Sequence, residues 1–90
     1  MNSSDKWLFF GTRGGGNRIK IIKALKNRPY NANQLAKELN VSYKTIPHHI
    51  NILIENGLVT SSKERYGKVY DLSQKMLNQY DEFEKILNGS

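Results

Sequence analysis

Ninety residues make one domain, and a folded chain of this size buries only roughly 60–65% of its unfolded surface, so little room is left for an enzymatic pocket. The lack of cysteine argues against a disulfide scaffold or a thiolate metal site. No apolar run approaches the roughly 18 residues of a membrane span, and a cytoplasmic protein is expected. Net charge is +6 and sits in the body of the chain: residues 1–72 hold twelve Lys or Arg against five Asp or Glu, and residues 73–90 hold two against three. A basic body raises the local concentration of polyanions, nucleic acid before acidic membrane.

Met1 to Ser4 are expected to be disordered. Asp5-Lys6-Trp7-Leu8-Phe9-Phe10 then places three large aromatic rings in six residues, and that area must be covered, against the last helix or a second subunit. Gly11-Thr12-Arg13-Gly14-Gly15-Gly16 lacks the Lys-Ser/Thr of a phosphate loop and the full dinucleotide fingerprint, so it reads as a flexible or tightly turning connector. Residues 1–16 are therefore assigned to a flexible, aromatic N-terminal segment.

Asn17 caps a predicted helix running to about Asn27, with Ile19, Ile22 and Leu25 on its inward stripe and Ile21 at the margin. Arg18, Lys20 and Lys23 lie largely off that stripe. Pro29 ends the helix, because the residue before proline is pushed out of helical conformation.

The stretch Asn31 to Val59 organises the rest of the chain. Asn31 and Gln34 stand in capping-box register, with Tyr30 able to staple onto Leu35. Asn40 falls at a sharp turn, where asparagine tolerates the left-handed conformation. A second helix ends at Gly57, with Leu58 as the apolar residue of a Schellman motif. Pro47 fits only a late or distorted start of this second helix, since a helix beginning at Ser42 would have proline crowding the carbonyl of Tyr43.

Leu58 to Ser62 and Lys68 to Leu72 predict two strands around a charged turn. From Ser73 to about Leu87 a last helix is predicted, with Met76, Tyr80, Phe83 and Leu87 forming a narrow seam suited to packing against one other helix. The fold class is α+β, mostly α: a winged helix-turn-helix with a three-helix core, a two-stranded β wing and a C-terminal helix. Residues 17–72 are expected to form a DNA-binding domain, and residues 73–90 a C-terminal helix for dimerisation. Trp7, Phe9, Phe10, Met76, Tyr80, Phe83 and Leu87 are the expected dimerisation residues.

If Ile46 marks the inward direction at 100° per residue, Ile50, Leu53 and Gly57 fall within about 40° of it, and Lys44, His48, Asn51 and Glu55 face outward. Lys44 suits a phosphate or a guanine edge, and His48 and Asn51 suit base edges, Asn above all adenine. Tyr43 and Thr45 flank the helix start and suit the sugar-phosphate backbone, with Pro47 setting the register of the contacts. Lys63, Arg65, Tyr66 and Lys68 surround the wing tip and suit a phosphate track or an adjacent minor groove. His48 and His49 point about 100° apart and cannot chelate one ion well. His49 leans inward and is expected to anchor the helix pair through a hydrogen bond. No metal, cofactor or catalytic residue is expected.

The sequence resembles the ArsR-type winged helix-turn-helix transcriptional regulators, particularly their small archaeal relatives. The likeness runs from about Trp7 to Leu72 and is carried by Arg13-Gly14-Gly15 with Arg18-Ile19-Lys20-Ile21-Ile22, by Gln34-Leu35-Ala36-Lys37-Glu38-Leu39, and by Tyr43-Lys44-Thr45-Ile46 through His48-His49-Ile50 to Glu55-Asn56-Gly57-Leu58-Val59. It implies a dimeric regulator whose reading helix, matched by Tyr43 to Glu55, contacts operator DNA, and whose terminal helices form the dimer. Metal-sensing members carry cysteines on the helix matched by Leu35 to Asn40, or Asp and His ligands on the last helix. This chain has no cysteine, and its last helix has no histidine. The expected activity is sequence-specific binding of double-stranded DNA as a homodimer, with no membrane partner and no effector indicated. The alternative is a winged-helix protein–protein interaction module of a transcription or replication assembly, docking through Ile52, the wing or the aromatic termini.

Overall fold

The ends of the two helices in the Asn31 to Val59 stretch follow from local hydrogen-bonding devices. In the computed structural model, which describes residues 1–89, the order is α1 (Ser3–Lys6), a π-helical turn (Trp7–Gly11), α2 (Gly15–Asn27), β1 (Tyr30–Asn31), α3 (Ala32–Leu39), α4 (Thr45–Glu55), β2 (Val59–Ser61), β3 (Val69–Leu72), α5 (Gln74–Asn78) and α6 (Tyr80–Leu87). The Asn31 side chain accepts from Gln34 N at 2.8 Å, and Gln34 Oε1 accepts from Asn31 N at 2.8 Å, completing the capping box of α3. Asn40 is left-handed at φ 55°, ψ 49°, and the amides of Asn40 and Val41 close on the carbonyls of Lys37 and Ala36. At the end of α4 the amides of Gly57 and Leu58 close in the same way on Ile54 and Leu53, both at 2.9 Å, with Gly57 at φ 71°.

The strands form one antiparallel sheet in the order β1–β3–β2. Val59 pairs with Leu72, Thr60 with Asp71 and Ser61 with Tyr70, while Tyr70 also pairs with Tyr30 on its other side. The expected two-stranded wing is thus joined by a third, two-residue strand at its base, which ties the wing to the start of α3.

Ile21, Ile22, Leu25, Leu35, Ile46, Ile50 and Leu53 fill the space between α2, α3 and α4 and are fully buried. Ile21, expected at the margin of α2, is inside, and Ile19 is only partly buried. Arg18, expected off the inward stripe, is 4% exposed.

Three further expectations change at the ends of the chain. Met1 to Ser4 were expected to be disordered, but the Asn2 side chain accepts from Asp5 N at 2.8 Å and starts α1 at Ser3. Asp5 is itself 1% exposed and accepts from Gln79 Nε2 at 3.1 Å. Helix α2 begins at Gly15 and not at Asn17: a Cβ on Gly15 would lie 2.2 Å from the carbonyl oxygen of Phe9, so the connector is a close backbone approach. The C-terminal helix is broken at Gln79 (φ −111°, ψ 10°), whose amide closes α5 on Met76 O at 3.2 Å and whose carbonyl accepts from Phe83 N at 3.0 Å to begin α6.

The break lets Met76, Tyr80 and Phe83 all turn into the chain's own core with Phe9. The Phe9 and Phe83 rings meet edge to face at 5.0 Å, and Tyr80 lies 5.5 Å from Phe83. Four of the seven residues assigned to dimerisation therefore pack within one chain. Leu87 is half-buried, and Trp7 and Phe10 stay 63% and 38% exposed.

Candidate nucleic-acid interface

Helix α4 starts late, at Thr45, after a turn in which Thr45 N bonds Ser42 O at 3.0 Å and Ile46 N bonds Tyr43 O at 3.1 Å. Pro47 is then the third helical residue, where its missing amide costs nothing because the first four amides of a helix have no intrahelical partner. Ile46, Ile50 and Leu53 are buried, and Lys44, Pro47, His48, Asn51 and Glu55 are exposed. One face of α4 is therefore sunk in the core, and the opposite face presents a cation, an imidazole and a carboxamide to solvent. Ile52 is half-buried, while Ile54 is exposed.

The C-terminal end of α4 is fastened as well. Asn56 Nδ2 donates to Ile52 O at 2.8 Å, and Lys75 Nζ donates to Asn56 O at 3.0 Å, placing a cation where the helix dipole favours one.

The wing runs from β2 to β3. Ser62 N donates to Val69 O at 2.8 Å, and Ser62 Oγ accepts from Val69 N at 3.0 Å, so the strands stay paired up to the tip. Tyr66 is 82% exposed, with the Arg65 guanidinium 5.8 Å from its ring centre. A hydrogen bond from the Ser62 side chain holds the Glu64 carboxyl below its ordinary range, so one negative charge persists among Lys63, Arg65 and Lys68.

The fold brings the wing against the start of α3 and the turn that precedes α4. Tyr43, Arg65, Tyr66 and Lys68 share the walls of a cleft of about 320 Å³ with Asn31, Asn33 and Tyr70, and no carboxylate lines it. Asn33 and Tyr70 were missing from the sequence-level set. Their places depend on the pairing of Tyr30 with Tyr70, which a two-residue strand does not announce. Lys63 lies outside this cleft, as do Lys44, His48 and Asn51, which belong to the outer face of α4. A larger cavity of about 480 Å³, lined by Lys20, Lys23, Asn27, Glu38 and Tyr80 among others, holds none of the expected DNA-contacting residues.

His49 is buried on the inner side of α4, and its Nδ1 lies 3.2 Å from Arg18 Nη1. A guanidinium only donates, so Nδ1 accepts and the ring proton sits on Nε2. Burial, then the neighbouring Arg18 and His48 charges, push the His49 imidazole below its ordinary value. The hydrogen bond expected of His49 is present, with a partner that sequence periodicity placed outside the core.

Residues 15–61, just over half of the chain, match the family described as bacterial regulatory protein, arsR family. The chain belongs to the arsR family. No curated protein sequence is a significant match. The ArsR-family chain shares its fold with Rv0081 of M. tuberculosis (TM-score 0.74, 18% identity, 94% of this chain and 87% of that one). It is likewise similar to the homodimeric winged helix-turn-helix DNA-binding domain Mb0332 of Mycobacterium bovis (TM-score 0.71, 16% identity, 81% and 68%). The Zalpha domain of Carassius auratus PKZ, whose structure is in complex with Z-DNA, has a TM-score of 0.63 and 27% identity over 68% of this chain and 98% of that one. This ArsR-family protein is accordingly a winged helix-turn-helix member of a regulatory family that acts by binding DNA.

Proposed function

We propose that the protein is a cytoplasmic transcriptional regulator that reads a pseudo-palindromic duplex as a homodimer, with α4 in the major groove and the wing on the flanking backbone and minor groove. One observation carries this reading: Lys44, His48 and Asn51 are exposed on the face of α4 opposite buried Ile46, Ile50 and Leu53. Their chemistry suits base edges and phosphates, and a helix anchored on its other face presents them in a fixed direction. The cationic wing tip and Tyr43, which lies just before α4, share one cleft, and their chemistry suits the sugar-phosphate strand leaving the groove.

Trp7 and Phe10, exposed beside a cleft of about 310 Å³ that also includes Ser3, Lys6 and Gly11, form the dimer contact in this reading. Mb0332, described as homodimeric, supports that assembly for this fold. Two copies then set their reading helices about 34 Å apart on one side of the duplex.

A fluorescence titration against a random duplex library, followed by selection of the bound sequences, tests the reading. Recovery of an inverted repeat with half-sites about one helical turn apart is expected. No affinity for any duplex at low salt overturns it.

A further inference from the structure

Arg18 is buried within the family-matched segment, yet none of its nitrogens approaches the outer, reading face of α4. Its side chain joins the N-terminal segment to α4 through three partners: Nε donates to Leu8 O at 2.9 Å, Nη2 donates to Thr12 Oγ1, and Nη1 donates to His49 Nδ1 at 3.2 Å. A buried guanidinium is costly unless its donors are met, and these partners engage each of its three nitrogens once. The site leaves no space to spare, since a Cβ on Gly14 would lie 2.6 Å from Arg18 Nη1 and 2.9 Å from the His49 ring. The chain of contacts continues outward, because the His49 ring stands edge-on to that of His48 at 5.2 Å, and His48 is one of the exposed residues of the reading face.

We propose that Arg18 is a positioning residue for DNA reading: through His49 it fixes the rotation of α4 and the ring of His48 relative to the N-terminal segment that holds Leu8 and Thr12. This inference rests on α4 being the reading helix. Leu8 and Thr12 lie on either side of Phe10, so the same guanidinium that orients the reading helix also clamps the segment bearing the exposed aromatic rings. The fork geometry of arginine is what makes this possible: a lysine has one nitrogen and cannot span a carbonyl, a hydroxyl and an imidazole on three sides.

The test uses the full chain, the duplex selected from the random library and a random duplex of equal length. Wild type, Thr12→Val, His49→Leu and His49→Asn are compared by affinity for both duplexes, by thermal midpoint and by the imidazole ¹⁵N signals of His49. Thr12→Val removes one acceptor without changing shape, and His49→Asn keeps an acceptor near the Nδ1 position. In the wild type, His49 Nδ1 is expected to be unprotonated and Nε2 protonated. Thr12→Val and His49→Leu are expected to weaken selected-duplex binding by about tenfold, the size of one charge-assisted hydrogen bond, while affinity for the random duplex stays put. His49→Asn is expected to restore most of the loss.

A role confined to stability would lower both affinities together with the folded fraction and leave their ratio unchanged, and that result overturns the proposal. A protonated Nδ1 in the wild type overturns it as well. Should His49→Leu fail to fold, Thr12→Val and the ¹⁵N signals decide the matter alone. Failure of the wild type to bind any duplex removes the DNA-reading function itself. Binding that every variant leaves intact removes only the positioning role.

Discussion

Lys75 Nζ stands between the carboxylate of Asp5, at 3.3 Å from Oδ2, and the carbonyl of Asn56, at 3.0 Å. One ammonium therefore joins α1, α5 and the C-terminal end of α4. Asp5 is almost wholly buried, and its remaining contact is the Gln79 amide at the break between α5 and α6. Replacing Asp5 by Ala removes the partner of both donors and leaves a small void. It should lower stability by about 1.5–3 kcal/mol, the range for hydrogen bonds to charged groups, as read from urea denaturation. Lys75→Met, whose side chain is partly exposed, should cost less. An Asp5→Ala variant as stable as the wild type would show that the junction holds nothing together.

The two neighbouring glycines of α2 make opposite predictions. At Gly15 an added Cβ meets the backbone of Phe9, which cannot move aside as a flexible side chain can, whereas at Gly16 nothing lies within 4 Å. Gly16→Ala should stabilise the protein by about 0.4–1 kcal/mol, because alanine has less freedom to lose in a helix. Gly15→Ala should destabilise it and push the N-terminal aromatic segment off α2. Thermal melts of the pair check both signs, and equal midpoints would refute the close approach.

Folding stability should depend on pH through His49. Its folded-state value lies below the ordinary 6.5, chiefly because burial penalises the imidazolium, and next because the Arg18 guanidinium faces it. The unfolded chain therefore binds the proton more readily. The contribution of neutral His49 is complete above about pH 6.5, declines as pH falls below that value, and levels off below the folded-state value. A melting midpoint that falls between about pH 7.5 and 5, with a shallower fall in His49→Asn, is the expected outcome. A midpoint independent of pH in the wild type would contradict it.

Contacts on the outer face of α4 and on the wing should separate by salt dependence. Lys44→Ala and Arg65→Ala each remove a phosphate-directed cation and should lower the slope of log affinity against log salt by about 1. Asn51→Ala should leave the slope alone and relax preference at one base pair by about 1–3 kcal/mol. If all three variants lose affinity with the same change in slope, Asn51 touches backbone and the proposed division of roles is wrong.

What the sequence disclosed and what it hid divide by distance along the chain. The capping box at Asn31 and Gln34, the left-handed Asn40, the glycine stop at Gly57, the cap at Ser73 and the late start forced by Pro47 each involve residues within a few positions of one another, so propensity and spacing suffice to place them. The exposure of Lys44, His48 and Asn51 followed from the 3.6-residue period alone. Arg18 escaped because a charged residue beside a helix stripe reads as solvated, and the partner that draws it inward, His49, is 31 residues away. The break at Gln79 escaped for a similar reason. Met76, Tyr80 and Phe83 keep an unbroken helical spacing, and the break coincides with long-range contacts, the core around Phe9 and the bond from Gln79 to buried Asp5, that spacing does not disclose. Asn33 and Tyr70 line the wing cleft because of the sheet register, which no short-range pattern encodes.

The burial of Phe9, Met76, Tyr80 and Phe83 within one chain moves the dimer prediction to Trp7 and Phe10. The Trp7 ring lies against Gly11, where an added Cβ would come within 2.4 Å of it, so the ring is laid over the backbone with its outer face in water. Aromatic anchors in a dimer core are commonly worth about 2 kcal/mol or more each. The double substitution Trp7→Ser with Phe10→Ser should therefore raise the dimer dissociation constant by more than about thirtyfold, the loss expected of a single such anchor. The Phe10 ring also packs on Phe9 and Phe83, at 6.1 and 6.0 Å between ring centres, so the variant should lose some stability. With Phe9 and Phe83 still in the core the monomer should stay folded, with sedimentation showing its mass and circular dichroism its helix content. Binding to a selected inverted repeat should weaken with it, and binding to a single half-site should not. A double variant that still sediments as a dimer would place the interface elsewhere on the molecule.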